Sequence, residues 1–65
     1  MTSLHERNRL RMEIWDLNTD LASMLGVPAE FRNTEKIEKI EAEIIQRETE
    51  IEMLLQLERQ AEHAA

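Results

Sequence analysis

The chain has 65 residues, is 42% hydrophobic and 34% charged, carries a net charge of −6, and contains no cysteine. A chain this short buries only about 60% of its unfolded surface, so a disulfide, a metal or oligomerisation normally completes its stability. Without cysteine, disulfides and thiolate metal sites are excluded, which leaves oligomerisation. One Gly, one Pro and 3% aromatic residues among many Glu, Leu, Ile and Arg describe long helices and exclude a sheet protein. No stretch approaches the roughly 18 apolar residues of a membrane span. No apolar block follows the first arginines, so no secretory signal is read there and a cytoplasmic location is expected.

The first element opens at Ser3-Leu4-His5-Glu6, the pattern of a capping box, in which the serine hydroxyl and the glutamate satisfy free N–H groups. Beyond it Leu10, Ile14, Leu17, Leu21 and Met24 continue the alternating three- and four-residue spacing of a heptad seam, predicting a helix over 3–25. Leu4, Trp15, Ala22 and Leu25 fall beside that seam at about 100° per residue. The apolar arc is thus wider than one partner helix needs, and a second contact surface is expected.

Residues 26–33 interrupt the pattern. Gly26 is placed for a left-handed end to the helix and Pro28 prevents its continuation. Asn33 or Thr34 can cap the next helix, with Glu35 in its first turn. Phe31 is expected to tuck against Ile37, and with Val27 to form a small apolar plug that makes the segment a fixed bend rather than a hinge.

The second helix is predicted over 34–62, fraying in the Ala-rich end. Its heptad positions are Ile37, Ile40, Ile44, Arg47, Ile51, Leu54, Glu58 and Ala61. Glu35–Lys39 and Glu43–Arg47 are favourable pairs one turn apart, whereas Glu48–Glu52 and Glu58–Glu62 repel. Folding at the bend sets Leu25 near Ile37, Leu21 near Ile40, Leu17 near Ile44 and Leu10 near Ile51. The expected fold is therefore all-α: an antiparallel, coiled-coil-like helical hairpin forming a single domain. Its apolar faces suit pairing into a four-helix bundle, with Leu10, Ile14, Leu17, Leu21, Ile40, Ile44, Ile51 and Leu54 as its core. A dimer is the default, and larger rings remain open.

Charge is unevenly placed. Residues 1–25 carry three Arg against four acidic residues, −1, and residues 26–65 five Lys or Arg against ten Glu, −5. Such a surface repels phosphate backbones and favours basic partners, although Glu is also a good soluble helix former.

Catalytic and metal patterns are missing. His5-Glu6-Arg7-Asn8-Arg9 begins like H-E-x-x-H, but Arg9 stands where the second zinc ligand is needed. His63 lies beyond the reach of that helix, and both histidines read as surface residues. Glu13, Asp16 and Asp20 share a solvated face with Glu6 and Arg9, with nothing to shift a pKa toward acid–base work. Ser3 and Ser23 lack a base, and one glycine cannot cradle a phosphate. No enzyme and no cofactor are expected.

Arg7, Arg9 and Arg11 do not form a basic stripe, because Arg9 points about 160–200° away from the other two; nucleic-acid binding is disfavoured. Arg7 and Arg11 sit in the wide apolar arc beside Trp15 and Asn18. They either snorkel over its rim and pair with Glu58 or Glu62 of a facing helix, or form with Arg47 a site for an anionic partner group such as a nucleotide or cyclic nucleotide. Arg47 reads first as a polar layer that sets register, with Trp15 or Glu48 of either chain as its partner. Met12 and Trp15 are residue types that serve protein interfaces. The expected function is that of a non-enzymatic, acidic, homo-oligomeric protein that binds another protein as a regulator or inhibitor, of a size found in small bacterial or phage-encoded factors. A ligand sponge with the anion at subunit interfaces is the alternative, and an RNA-binding bundle the third.

Overall fold

A computed structural model describes residues 3–64, and the side-chain surroundings of residues 3–62. The expectations for His63 and for the terminal alanines fall outside those side chains. Helix α1 spans Leu4–Leu25, a single 3₁₀ turn spans Ala29–Phe31, and α2 spans Thr34–Ala64. The two long helices lie against each other as a hairpin, 56 Å long and 16 by 11 Å across. Its radius of gyration is 15.8 Å, where a compact chain of this length would have about 11 Å. The molecule is a rod two helices thick, with no interior apart from the line of contact between them.

Apolar periodicity accounts for that line. Leu10 of α1 and Ile37, Ile40 and Ile44 of α2 are buried. Ile14, Leu17, Leu21, Ile51 and Leu54 keep partial exposure. All lie on the mutually facing stripes, so the residues expected at the core of an oligomer are spent first on the contact within one chain. Arg47 lies opposite Glu13 and Ser3 opposite Glu58, in line with the register of the matched seams.

Three local expectations are corrected. Ser3 makes no side-chain cap: at φ −91° and ψ 19° it is outside the extended region that aims an N-cap hydroxyl at the first turn. Its carbonyl still starts the helix, accepting the Arg7 N–H at 2.8 Å. Gly26 is right-handed, at φ −73° and ψ −14°; α1 ends because Pro28 has no N–H and disfavours helical geometry at Val27. Phe31 is 76% exposed and Val27 is also exposed, so there is no apolar plug.

Arg32 fastens the bend instead. Its Nε and Nη2 donate to the carbonyls of Val27 and Leu25, each at 2.7 Å, satisfying acceptors that the end of α1 leaves open. Asn33 is the cap of α2, its side-chain oxygen accepting the Lys36 N–H at 3.2 Å.

Candidate functional site

The hairpin presents two broad faces. Because the helices are antiparallel, residues displaced in the same rotational sense from the two seams share a face. One face carries Leu4, Arg11, Trp15 and Asn18 from α1, and Glu41, Ile45, Glu48 and Glu52 from α2; we call it the tryptophan face. The other, the groove face, carries Glu6, Arg9, Glu13 and Asp20 from α1, and Lys39, Glu43, Glu50, Met53 and Leu57 from α2. Shallow depressions on the groove face confirm the assignment, since their walls combine Asp20 with Lys36 and Lys39, Glu13 with Gln46, and Arg9 with Glu50.

The five residues expected at an interaction site do not converge. Arg7 turns to the open end of the seam, where its Nη2 is 3.3 Å from Glu58 Oε2. The same carboxylate accepts the Ser3 hydroxyl at 2.7 Å and also the Ser3 backbone N–H. The Arg7 Nε donates to the Ser3 hydroxyl at 3.1 Å. Side-chain exposure of only 14% for Arg7 and 20% for Glu58 makes this a shielded clasp that closes the open end. The two Ser3 hydrogen bonds, backbone first, hold the Glu58 carboxyl below its ordinary pKa; they outweigh an upward push from desolvation, and the Arg7 charge adds a smaller lowering.

Arg47 is engaged halfway along the seam. Its Nε is 3.3 Å from Glu13 Oε2 and its Nη1 donates to the Glu43 carbonyl at 3.2 Å. Within the chain the partner is Glu13 rather than Trp15 or Glu48. That carboxylate flanks the α1 seam on the groove side, while Trp15 and Glu48 lie on the tryptophan face. Glu43 contributes its backbone oxygen where a side-chain ion pair was expected.

Arg11, Trp15 and Asn18 remain together, exposed on the tryptophan face. Trp15 is 68% exposed. Arg11 has no ion-pair or hydrogen-bond partner among the described residues. The arginine triad is thus divided into two cations neutralised within the seam and one displayed outward.

Sequence reasoning overlooked Ile45, 63% exposed on the tryptophan face, and Met53 and Leu57, exposed at the open end of the groove face. Their signal was available: each is a large apolar residue outside the heptad positions of α2. Among the described residues no three His, Asp or Glu side chains gather as metal ligands, and no helix is long and apolar enough to cross a membrane. A groove-face depression of about 510 Å³ is walled by Asp20, Glu35 and Glu43 as well as Lys36 and Lys39, a mixture of signs that selects no anion. No protein-family model, curated protein or solved structure matches the chain.

Proposed function

We propose that the protein is a non-enzymatic helical interaction module, which associates with itself and binds another protein to regulate or inhibit it. The observation that carries this reading is the surface left over by the hairpin. Its accessible area is 5506 Å², whereas a compact monomer of its mass exposes about 4300 Å². The excess, about 1200 Å², is more than the roughly 800 Å² each partner contributes to a standard interface.

Self-association and partner binding need separate surfaces, and the hairpin has two. Met53 and Leu57, rimmed by Glu6 and Glu50 with Arg9 between them, suit an apolar patch with a mostly basic rim on the partner. Light scattering tests the first half, with a mass of at least twice 7.7 kDa expected. The second half is tested by affinity capture from the source cell followed by mass spectrometry. A specific partner should be retained by the wild type and lost by Met53→Glu/Leu57→Glu; equal capture by both removes the groove face from the reading.

An anion-binding function is less well supported, because of its three candidate arginines Arg7 and Arg47 already face carboxylates and Arg11 alone is displayed among the described residues. Calorimetry with nucleotides and cyclic nucleotides tests it through loss of heat in Arg11→Ala. RNA binding has still less support, since Glu41, Glu48 and Glu52 are exposed on the same face as that arginine and repel a phosphate backbone.

A further inference from the structure

The tryptophan face carries its charges in two columns that the single chain leaves unmatched. Arg11 stands in the α1 column, exposed and without a partner among the described residues. Glu41, Glu48 and Glu52 stand in the α2 column, all exposed, and none forms an ion pair among the described residues. Glu48 and Glu52 are one turn apart and repel each other. Both columns share one face of the rod, and among the described residues Arg11 forms no ion pair with the glutamates of its own chain. It would meet them on a second rod laid face to face.

We infer that the tryptophan face is covered by a second copy of this chain, related by a two-fold axis along the rod, so that both bends lie at one end and each α1 stacks on the other copy's α2. The inference rests on the proposed self-association and specifies its face and direction. Rotation about the long axis leaves every residue at its own height. The register that sets Glu13 against Arg47 and Ser3 against Glu58 within the chain therefore also applies between copies. Arg11 falls between Glu48 and Glu52 of the second copy, Trp15 beside its Ile45, and Leu4 beside its Leu55.

The other face-to-face dimer has its axis across the rod and its bends at opposite ends. That arrangement stacks α2 on α2 and sets the Glu41, Glu48 and Glu52 column against itself, leaving Arg11 over α1. Like charges in register oppose it. Pairing through the groove face is also disfavoured, because its cations have acidic neighbours within the chain: Arg47 is bonded to Glu13, Lys36 and Lys39 border Asp20, and Arg9 borders Glu50. Its exposed apolar residues, Met53 and Leu57, are confined to the open end. The tryptophan face carries apolar residues along the rod, from Leu4 through Trp15 and Ile45.

Charge reversal tests the arrangement by complementation, read by sedimentation equilibrium. Arg11→Glu alone and Glu48→Lys/Glu52→Lys alone should each weaken the homodimer roughly tenfold or more, since two-fold symmetry repeats every altered contact. A mixture of the two variants should recover a dimer near wild-type strength, because each α1 then meets an α2 of opposite charge. Circular dichroism establishes that the variants remain helical. A wild-type mass of 7.7 kDa at every concentration overturns this inference and the self-association reading together, leaving the face to another partner. A wild-type dimer indifferent to both reversals, or a mixture that fails to recover, overturns the arrangement alone. A spin label on Ala29→Cys, unique in a chain without cysteine, reads the direction without altering the face. Separations of roughly 10–20 Å are expected for bends at one end, and separations approaching the 56 Å length of the rod overturn it.

Discussion

Arg47 Nε and Glu13 Oε2 meet at 3.3 Å across the hairpin, with their side chains 27% and 43% exposed. A cation at a seam position is thereby answered by a carboxylate on the rim of the opposite helix. An ion pair this open to water contributes under about 1 kcal/mol, whereas an apolar side chain at the same position would continue the line of Ile44 and Ile51. Arg47→Leu is therefore expected to stabilise the hairpin by about 1 kcal/mol, raising its melting temperature by roughly 4 °C or more. Thermal denaturation followed by circular dichroism measures this. A lower melting temperature would show that Arg47 stabilises more than it costs. If the arginine sets register, the leucine variant should also sediment as a broader set of species.

The Glu58 clasp makes the open end sensitive to acid. Because its carboxyl is lowered in the folded chain, its contribution to stability is fully present above the unfolded pKa. It is lost as pH falls through the folded value, below the ordinary carboxylate range. Glu58→Gln should be less stable than wild type at neutral pH, and the two should converge at the acid end. The two proteins differ at this side chain alone, so the difference between their pH–stability curves isolates it. A gap that stays constant into acid would show that the charge of Glu58 is irrelevant to the clasp.

At the bend, Arg32 and Phe31 should behave oppositely to their apparent importance. Arg32→Ala removes two donors from the carbonyls of Leu25 and Val27. It should destabilise by about 1 kcal/mol, below the roughly 1.5–3 kcal/mol of hydrogen bonds to a charged group because the site is exposed. Phe31→Ala removes a ring that is 76% exposed and should stay within about 0.5 kcal/mol of wild type. Paired chemical denaturation curves decide between them. A larger loss from Phe31→Ala would mean that the ring packs against another surface in solution.

The helical hairpin was legible because its cause is periodic. Leu10 to Met24 and Ile37 to Leu54 repeat at seven residues, and a two-helix contact needs little more than that repeat and an interruption between the stripes. The partners of single polar groups were less legible. Ser3 has the residue type of a helix cap, yet a carboxylate 55 positions away offers its hydroxyl a charged acceptor. The Arg7–Glu58 pair was foreseeable because folding about the bend brings both ends of the seams together. Glu13 was assigned to open solvent because its place on the wheel borders the seam, and a long arginine reaches over that border. The candidate site was less readable still. Arg7, Arg11 and Arg47 differ in direction by less than a quarter turn from their seams, and that difference separates two internal pairs from one exposed cation.

Gly26 distinguishes the two accounts of how α1 ends. A left-handed glycine would make alanine costly there, because a Cβ is strained at positive φ. The observed right-handed conformation carries no such strain, and an added Cβ would stand 3.4 Å from the Ser23 carbonyl oxygen and 3.7 Å from that of Ala22, ordinary contact distances. Alanine would then act mainly by restricting the unfolded chain, so Gly26→Ala should stabilise by about 0.4–1 kcal/mol. Urea denaturation of the two proteins gives the sign directly. Destabilisation by more than about 1 kcal/mol would place Gly26 in the left-handed region in solution. In that case the stop would rest on the glycine, and the Arg32 bonds to Leu25 and Val27 would no longer suffice to explain the bend.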